Sequence, residues 1–215
     1  VGHERERLAR VLTDDGEDLI PATGPERGVR AFLSTSSAGG GLQMVVVGLV
    51  RKMTAASAEK AALGAGAIVT AVVAHNDPES TVGRLERLRR CRPDIVLLSG
   101  GTDGGAIAPV VALAELIAAA DIRPRHGGGR LPVVFAGNAE AEAGVQAALA
   151  DTAEVVTAGN LRPTLEVERL QPARACIQEV FLHHVMARAP GYPGLQRLCH
   201  FGDKHGQPHH QERAH

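Results

Sequence analysis

The chain has 215 residues, which is enough to bury a sizeable core, and its formal net charge is −1. The near-neutral charge, the absence of Trp and the single Tyr exclude the basic, aromatic-rich faces that typically bind nucleic acids. No apolar run reaches the roughly 20 residues of a membrane span, and the charged N-terminus is unlike a signal peptide, so we expect a soluble protein without nucleic-acid or membrane partners.

The first 30 residues are polar and hold a cluster of prolines and glycines, which indicates a lead-in segment without chemistry of its own. The chain begins with Val1 rather than Met, which is consistent with a fragment of a longer protein. Two apolar, β-branched segments follow, at 31–34 and 42–50, on either side of the glycine-rich turn Ser34–Gly41. This pattern predicts an N-terminal β-hairpin.

Strands and helices alternate along the rest of the chain. Thr54 is a candidate N-cap for the first helix. We predict strands at 68–73, 95–98, 131–135 and 154–157, and helices at 55–63, 82–91, 106–120, 139–150 and 172–189. The alternation predicts an α/β fold with a mostly parallel sheet and flanking helices. We place this domain at 31–198 and expect the His- and Gln-rich tail, 199–215, to be poorly ordered.

Polar, glycine-rich turns follow three of the predicted strands. Gly100, Gly101, Thr102, Asp103, Gly104 and Gly105 form the first turn, Gly137 and Asn138 the second, and Gly159 and Asn160 the third. Parallel strands end at one edge of a sheet, where α/β proteins bind ligands, so we expect Gly100, Gly137 and Asn160 to cluster. The first turn matches neither the phosphate loop nor the dinucleotide fingerprint. It can contact an anionic ligand through its backbone, or it can simply make a tight strand-to-helix turn.

The polar side chains of these turns have both structural and functional interpretations. Asp103 is a candidate helix cap or a candidate partner of Mg²⁺ or a ribose hydroxyl. Thr102 either donates to phosphate or closes the turn. A helix cap is the favoured role of Asn138, and turn formation is the favoured role of Asn160. The hydroxyls and backbone of the Ser34–Gly41 turn can embrace a phosphate, or the turn can be an ordinary hairpin.

Other reactive side chains give no legible site. Cys91, Cys176 and Cys199 are odd in number and lack Cys-x-x-Cys spacing, which favours a reducing, cytoplasmic setting over disulfides. The tail histidines lack acidic or cysteine partners at metal-ligand spacing, so we predict no metal site. His184 falls on the apolar stripe of the last helix and is predicted to be a hydrogen-bonded core residue. No Ser-His-Asp or Cys-His pattern is present, so catalytic residues are unknown.

Five segments together resemble the glutamate mutase accessory protein family, MutL. They are Phe32–Val50 (FLSTSSAGGGLQMVVVGLV), Met53–Gly66 (MTAASAEKAALGAG), Asp94–Gly105 (DIVLLSGGTDGG), Pro132–Asn138 (PVVFAGN) and Gln178–Pro190 (QEVFLHHVMARAP). The resemblance covers roughly 31–198, and the SSAGGGL and GGTDGG segments are its most specific parts. It implies one lobe of an ATPase fold like those of actin, Hsp70 and sugar kinases.

The resemblance also implies a nucleotide site. Gly100 and Gly101 resemble the turn that borders adenosine in that superfamily, and Ser36, Ser37, Gly39 and Gly40 would approach the phosphates. With them we assign Thr102, Asp103, Gly104, Gly137 and Asn138 to nucleotide binding. The implied cofactors are ATP or ADP with Mg²⁺, and no directly bound cobalamin is expected. The Asp-x-Gly-Ser-Thr phosphate loop of the family is not among these residues, so at most a weak ATPase is expected.

The function implied by the resemblance is that of a reactivating, chaperone-like accessory protein. Its partner would be an adenosylcobalamin-dependent mutase of the glutamate mutase type, and its affinity for that partner would respond to nucleotide. Two alternatives stay open from the residues. One is a small-molecule kinase or another metabolite-binding α/β enzyme, and the other is an interaction-only fragment without nucleotide binding.

Overall fold

The computed structural model describes residues 41–125 and 129–186, which all belong to one compact unit, Ala38–Met186. Several predictions lie outside these residues. They are the lead-in 1–30, the strand at 31–34, the assigned residues Ser36, Ser37, Gly39 and Gly40, and the tail 199–215.

Five parallel strands form the central sheet of the described residues. They are β1 (Leu42–Gly48), β2 (Ala67–Ala74), β3 (Ile95–Ser99), β4 (Leu131–Phe135) and β5 (Ala153–Thr157). Their spatial order is β2-β1-β3-β4-β5, the order of a flavodoxin-like doubly wound sheet. The predicted α/β class with a mostly parallel sheet is therefore confirmed, whereas the likeness to an actin-type lobe stays a prediction.

Helices cover both faces of this sheet. They are α1 (Ala56–Gly64), α2 (Thr81–Arg90), α3 (Ala108–Ala120), α4 (Glu142–Leu149) and α5 (Gln171–Val180). Helices α1 and α5 share an apolar core on one face, while α2, α3 and α4 pack on the other. The central strands read as continuous apolar runs because both of their faces are buried, and every residue of β3 and β4 is buried.

The predicted N-terminal hairpin is wrong as far as β1 is concerned. Strand β1 pairs in parallel with β2 on one edge and with β3 on the other, so both of its edges are occupied. A hydrogen bond from Asp94 N to Gln43 O also occupies the β3 side of β1 near the start of the strand. No edge of β1 remains for an antiparallel strand at 31–34.

Most predicted elements occur with shifted ends. Thr54 does not cap α1, because its hydroxyl accepts from Val50 N at 2.9 Å inside a π-helical turn, Arg51–Ala55, that precedes the helix. Helix α3 begins at Ala108 rather than Ala106. A short 3₁₀ turn, Ala139–Ala141, precedes α4, and α5 continues as a π-helical segment, Phe181–Val185. None of the helices in 41–125 and 129–186 is long and apolar enough to cross a membrane.

A buried ion pair fastens the sheet at the edge where the strands begin. The Asp94 carboxylate, 1% exposed, lies 2.9 Å from Nη2 of Arg125 and also accepts from Gln43 N at 2.8 Å. Arg125 donates in addition to the carbonyl oxygen of Gly41 at 2.7 Å. The loop that follows α3 is thereby joined to the starts of β1 and β3.

Candidate functional site

The strand order marks the point at the carboxyl edge of the sheet where a ligand crevice is expected. Strands β1 and β3 are neighbours, but the chain leaves β1 toward α1 on one face and leaves β3 toward α3 on the other. Loops that diverge in this way open a crevice between them, and doubly wound sheets bind their ligands there. The candidate site is therefore bounded by the residues after Gly48 and by those after Ser99.

Gly48 sets the β1 side of the crevice. A Cβ atom on Gly48 would lie only 2.6 Å from the Cα of Ala55, so glycine is required for the start of the helix to approach the strand. Leu49 N donates to Ser99 O at 3.2 Å, which ties the two loops together where the strands end. The sequence analysis did not single out Gly48, although a glycine between an apolar strand and an alanine-rich helix is a usable signal.

Arg51 and Asp77 fix the first residues beyond β1 and β2. The guanidinium of Arg51 forms a two-pronged contact with the Asp77 carboxylate, with Nη2 at 2.6 Å from Oδ2. Arg87 Nη2 lies 3.0 Å from the same carboxylate, and Ala74 N donates to it at 2.9 Å. The hydrogen bond from Arg51 holds the pKa of Asp77 well below its usual range. The Asp77 carboxylate thus ties the residues that follow β1 and β2 to α2.

The glycines of the β3 and β4 turns pack against each other. A Cβ atom on Gly137 would lie 2.5 Å from Gly100 O, and one on Gly101 would lie 3.0 Å from the Cβ of Asn138. Gly101 also has a φ of +72°. Gly100, Gly101 and Gly137 are all buried. Close packing between the two turns explains Gly101 and Gly137, whereas a Cβ atom on Gly100 would lie 2.9 Å from the Cβ of Leu49, which follows β1.

Asp103 joins three strand ends. It is exposed, and its Oδ1 accepts from Asn160 Nδ2 at 2.8 Å and from Ala139 N at 3.4 Å. It does not cap α3, because Ile107 occupies the N-cap position without any side-chain hydrogen bond. The β3 turn is therefore held to the turns after β4 and β5 by this carboxylate.

The two asparagines take the structural roles favoured for them. Asn138, fully buried, caps the 3₁₀ turn by accepting from Glu140 N at 3.0 Å, and it donates to Gly105 O. Asn160 closes a turn by accepting from Arg162 N at 3.0 Å, and its amide donates to Gly101 O at 3.1 Å. The expected cluster of Gly100, Gly137 and Asn160 at one rim is confirmed.

The assigned residues that the structure describes differ in accessibility. Asp103 and Gly104 are exposed and Thr102 is half-buried, while Gly100, Gly101, Gly137 and Asn138 are buried. Gly105 N donates to Thr102 O at 3.0 Å, so the backbone of Thr102 closes a turn. The side chain of Asp103 and the backbone of Gly104 are therefore open to solvent, whereas the glycines at 100, 101 and 137 are covered.

A second polar cluster at the rim was missed by the sequence analysis. Ser57, fully buried in the first turn of α1, donates to Glu168 Oε1 at 2.6 Å and accepts from Arg162 Nε at 2.8 Å. Lys60 Nζ lies 3.4 Å from the same Glu168 oxygen. The hydrogen bond from Ser57 lowers the pKa of the Glu168 carboxyl. No sequence motif indicates this cluster, because Ser57 and Lys60 lie more than 100 residues before Arg162 and Glu168.

The described side chains give no candidate metal site. Within 41–125 and 129–186, no group of three or more His, Cys, Asp or Glu residues could hold a metal ion. His184 is partly buried, and its Nδ1 lies 3.5 Å from Glu154 Oε2. His184 therefore lies at the margin of the core, beside a carboxylate that is 53% exposed, rather than inside the core as predicted.

Comparison with known proteins assigns the family. A family profile described as "MutL protein" matches residues 6–202, which is most of the chain. The chain belongs to the MutL family. It is 36% identical over 156 residues to "Protein MutL" of Clostridium tetanomorphum. No solved structure matches the chain significantly.

The aligned residues make up 72% of this chain and 31% of the Clostridium protein. The chain therefore spans less than a third of that MutL relative. The family match covers every strand and helix described above, so the crevice between β1 and β3 lies within the MutL region.

Proposed function

We propose that this chain is part of an accessory protein for an adenosylcobalamin-dependent mutase of the glutamate mutase type. Membership of the MutL family carries this proposal. The segments that resemble the family include β1 and the turns after β3 and β4, so the resemblance includes the carboxyl edge of the sheet. The partner would be the mutase itself, with the accessory protein acting as a reactivating chaperone.

The proposed nucleotide site is the crevice between β1 and β3. Thr102, Asp103 and Gly104 supply its accessible polar groups on the β3 side. Both hydrogen bonds received by Asp103 fall on Oδ1, so Oδ2 is the oxygen that would reach a hydrated Mg²⁺ or a ribose hydroxyl. One protein carboxylate, that of Asp103, fits a Mg²⁺ ion held mainly by nucleotide phosphates, because Mg²⁺ commonly takes one or two protein carboxylates. Mg·ATP and Mg·ADP would bind at this site with different free energies.

Nucleotide can change the affinity of this chain for a partner only if the chain has two conformations that bind the partner with different affinities. ATP and ADP must bind these conformations unequally, and the mutase must do the same. The rim suits this role because Asp103 connects the turns after β3, β4 and β5. A ligand that draws the carboxylate away from Asn160 and Ala139 would remove this side-chain link between the turns.

An interaction-only role without nucleotide is the second candidate. The burial of Gly100, Gly101 and Gly137 favours it, because packing alone accounts for these glycines. In that case the rim would be a rigid scaffold and the mutase would bind irrespective of nucleotide.

Calorimetric titration of the 215-residue chain with Mg·ATP and Mg·ADP tests the proposed site. We expect saturable binding, and we expect Asp103→Ala to weaken it by about tenfold, the effect of one lost charge-assisted contact. Asp151→Ala is the matched control, because Asp151 is exposed and lies at the opposite, amino edge, just before β5. No binding at millimolar nucleotide, or equal loss in both variants, would favour the interaction-only role.

A further inference from the structure

A nine-residue loop after β5 lies across the candidate crevice. Residues 161–169 have no helix or strand, and Arg169 N donates to Leu161 O at 2.9 Å, which brings the two ends of the loop together. A compact surface loop with closed ends is an Ω-loop, a class that is frequently functional. We call residues 161–169 the Ω-loop.

The Ω-loop holds its own shape through internal hydrogen bonds. Arg162 Nη1 donates to the carbonyl oxygen of Leu165 at 2.8 Å. Val167 N donates to Thr164 Oγ1 at 3.3 Å. Together with the bond that closes its ends, these contacts let the loop move as one body rather than fray residue by residue.

The Ω-loop touches both sides of the crevice through polar contacts. On the β3 side, Asp103 N donates to Pro163 O at 3.1 Å. On the α1 side, the buried Ser57 bonds both Arg162 and Glu168, and Lys60 adds an ion pair at 3.4 Å. The loop therefore spans from the turn after β3 to the first turn of α1, which is the gap that the strand order opens for a ligand.

The Ω-loop buries little apolar surface against the rest of the domain. Leu161 at its start is fully buried, but residues 164–169 are all exposed, including Leu165 at 62% and Val167 at 38%. Segments with few buried apolar contacts open at low free energy, well below that of global unfolding. Leu161 can thus serve as the fixed end, while the polar contacts decide whether the loop is closed.

We propose that the Ω-loop is a gate that closes the crevice between β1 and β3 and is latched by Glu168 on Ser57 and Lys60. When the latch releases, the loop swings as a unit about Leu161 and frees the backbone of Asp103. The part of this inference that concerns a ligand rests on the proposed nucleotide site. The opening itself is a property of the chain and is measured without nucleotide.

Residue-specific amide hydrogen exchange of the full chain tests the gate. Glu168→Ala should speed exchange at the Asp103 amide by about tenfold, because the latch loses its charged acceptor. The Arg169 amide should keep its protection, since its bond to Leu161 lies within the moving body. The Ala136 amide, bonded to Leu98 in the core, reports global stability and should not change.

Glu166→Ala is the matched control for this variant. Glu166 is an exposed acid in the same loop, two residues from the latch, so its removal changes the charge without touching Ser57. Unchanged exchange at Asp103 in Glu168→Ala, equal acceleration in Glu166→Ala, or equal acceleration at Arg169 or Ala136 would each overturn the gate.

Nucleotide affinity gives the functional measurement. A gate that must open first reduces apparent affinity by the fraction of open molecules, so Glu168→Ala should bind Mg·ATP more tightly than Glu166→Ala. Faster exchange with equal affinities would overturn the role of the loop as a ligand gate. If no variant binds Mg·ATP, the proposed nucleotide site fails, while the exchange data still decide whether the loop opens as a unit.

Discussion

Replacing Gly137 with Ala is expected to lower the free energy of unfolding by about 3 kcal/mol. The new Cβ atom would lie 2.5 Å from the carbonyl oxygen of Gly100, 2.8 Å from its nitrogen and 2.9 Å from the ring of Phe135. Two of these neighbours are backbone atoms at the ends of buried parallel strands, so they cannot move without disturbing the bond from Asn138 N to Gly100 O. Adding an atom to such a closely packed site lowers the free energy of unfolding.

Gly159→Ala is the matched control, because Gly159 follows β5 as Gly137 follows β4. Its Cβ atom would lie 3.4 Å from Pro172, an ordinary contact, so we expect a change below about 0.5 kcal/mol. Urea unfolding followed by circular dichroism suits a chain without Trp. Equal stabilities of the two variants would show that the β3 and β4 turns are not closely packed.

The Asp94→Asn variant should lose about 3 kcal/mol of stability. Asp94 is buried and accepts from Gln43 N and from two nitrogens of Arg125, whose side chain is only 18% exposed. Removing the negative charge breaks a buried ion pair from one side, which is strongly destabilising. The effect is measured by the same urea unfolding experiment.

Glu86→Gln provides the comparison for Asp94→Asn. It breaks an ion pair with Arg90 at 3.9 Å between side chains that are 59% and 83% exposed. Exposed pairs contribute roughly 0–1 kcal/mol, so a small change is expected. A loss from Asp94→Asn no larger than that from Glu86→Gln would contradict the role of Asp94 in fastening the amino edge of the sheet.

The sequence predicts the sheet well because apolar runs and glycine turns mark the strands and their ends. The apolar runs of β3 and β4 are buried on both faces, and the glycine turns that follow them mark the strand ends. The hairpin prediction for β1 is wrong because an apolar, β-branched run does not reveal which strands will flank it. Only the three-dimensional order shows that β2 and β3 occupy both edges.

The candidate site is predictable in part. Clustering of Gly100, Gly137 and Asn160 follows from parallel strands ending at one edge. The role of Asp103 as a connector does not follow, because its partners Asn160 and Ala139 come from other loops. The same holds for Ser57 and Glu168, which are 111 positions apart.

Because the glycines of these turns are buried, substituting them does not cleanly test nucleotide binding. A substitution at Gly101, with its φ of +72° and its contact with Asn138, would disturb the turn itself. Asp103 is exposed, and Asp103→Ala leaves the backbone bond from Asn138 N to Gly100 O in place, so it disturbs the turns less than a substitution at a buried glycine.

The proposed function requires that nucleotide alter the affinity of this chain for a cobalamin-dependent mutase. The most direct measurement is the dissociation constant of the chain for a glutamate mutase-type enzyme in Mg·ATP, in Mg·ADP and without nucleotide. We expect the dissociation constant to change at least about fivefold between the two nucleotides, which is the lower end of usual coupling energies. Asp103→Ala should abolish the difference and Asp151→Ala should preserve it. No binding to the mutase, or one affinity in all three conditions, would contradict the proposed function.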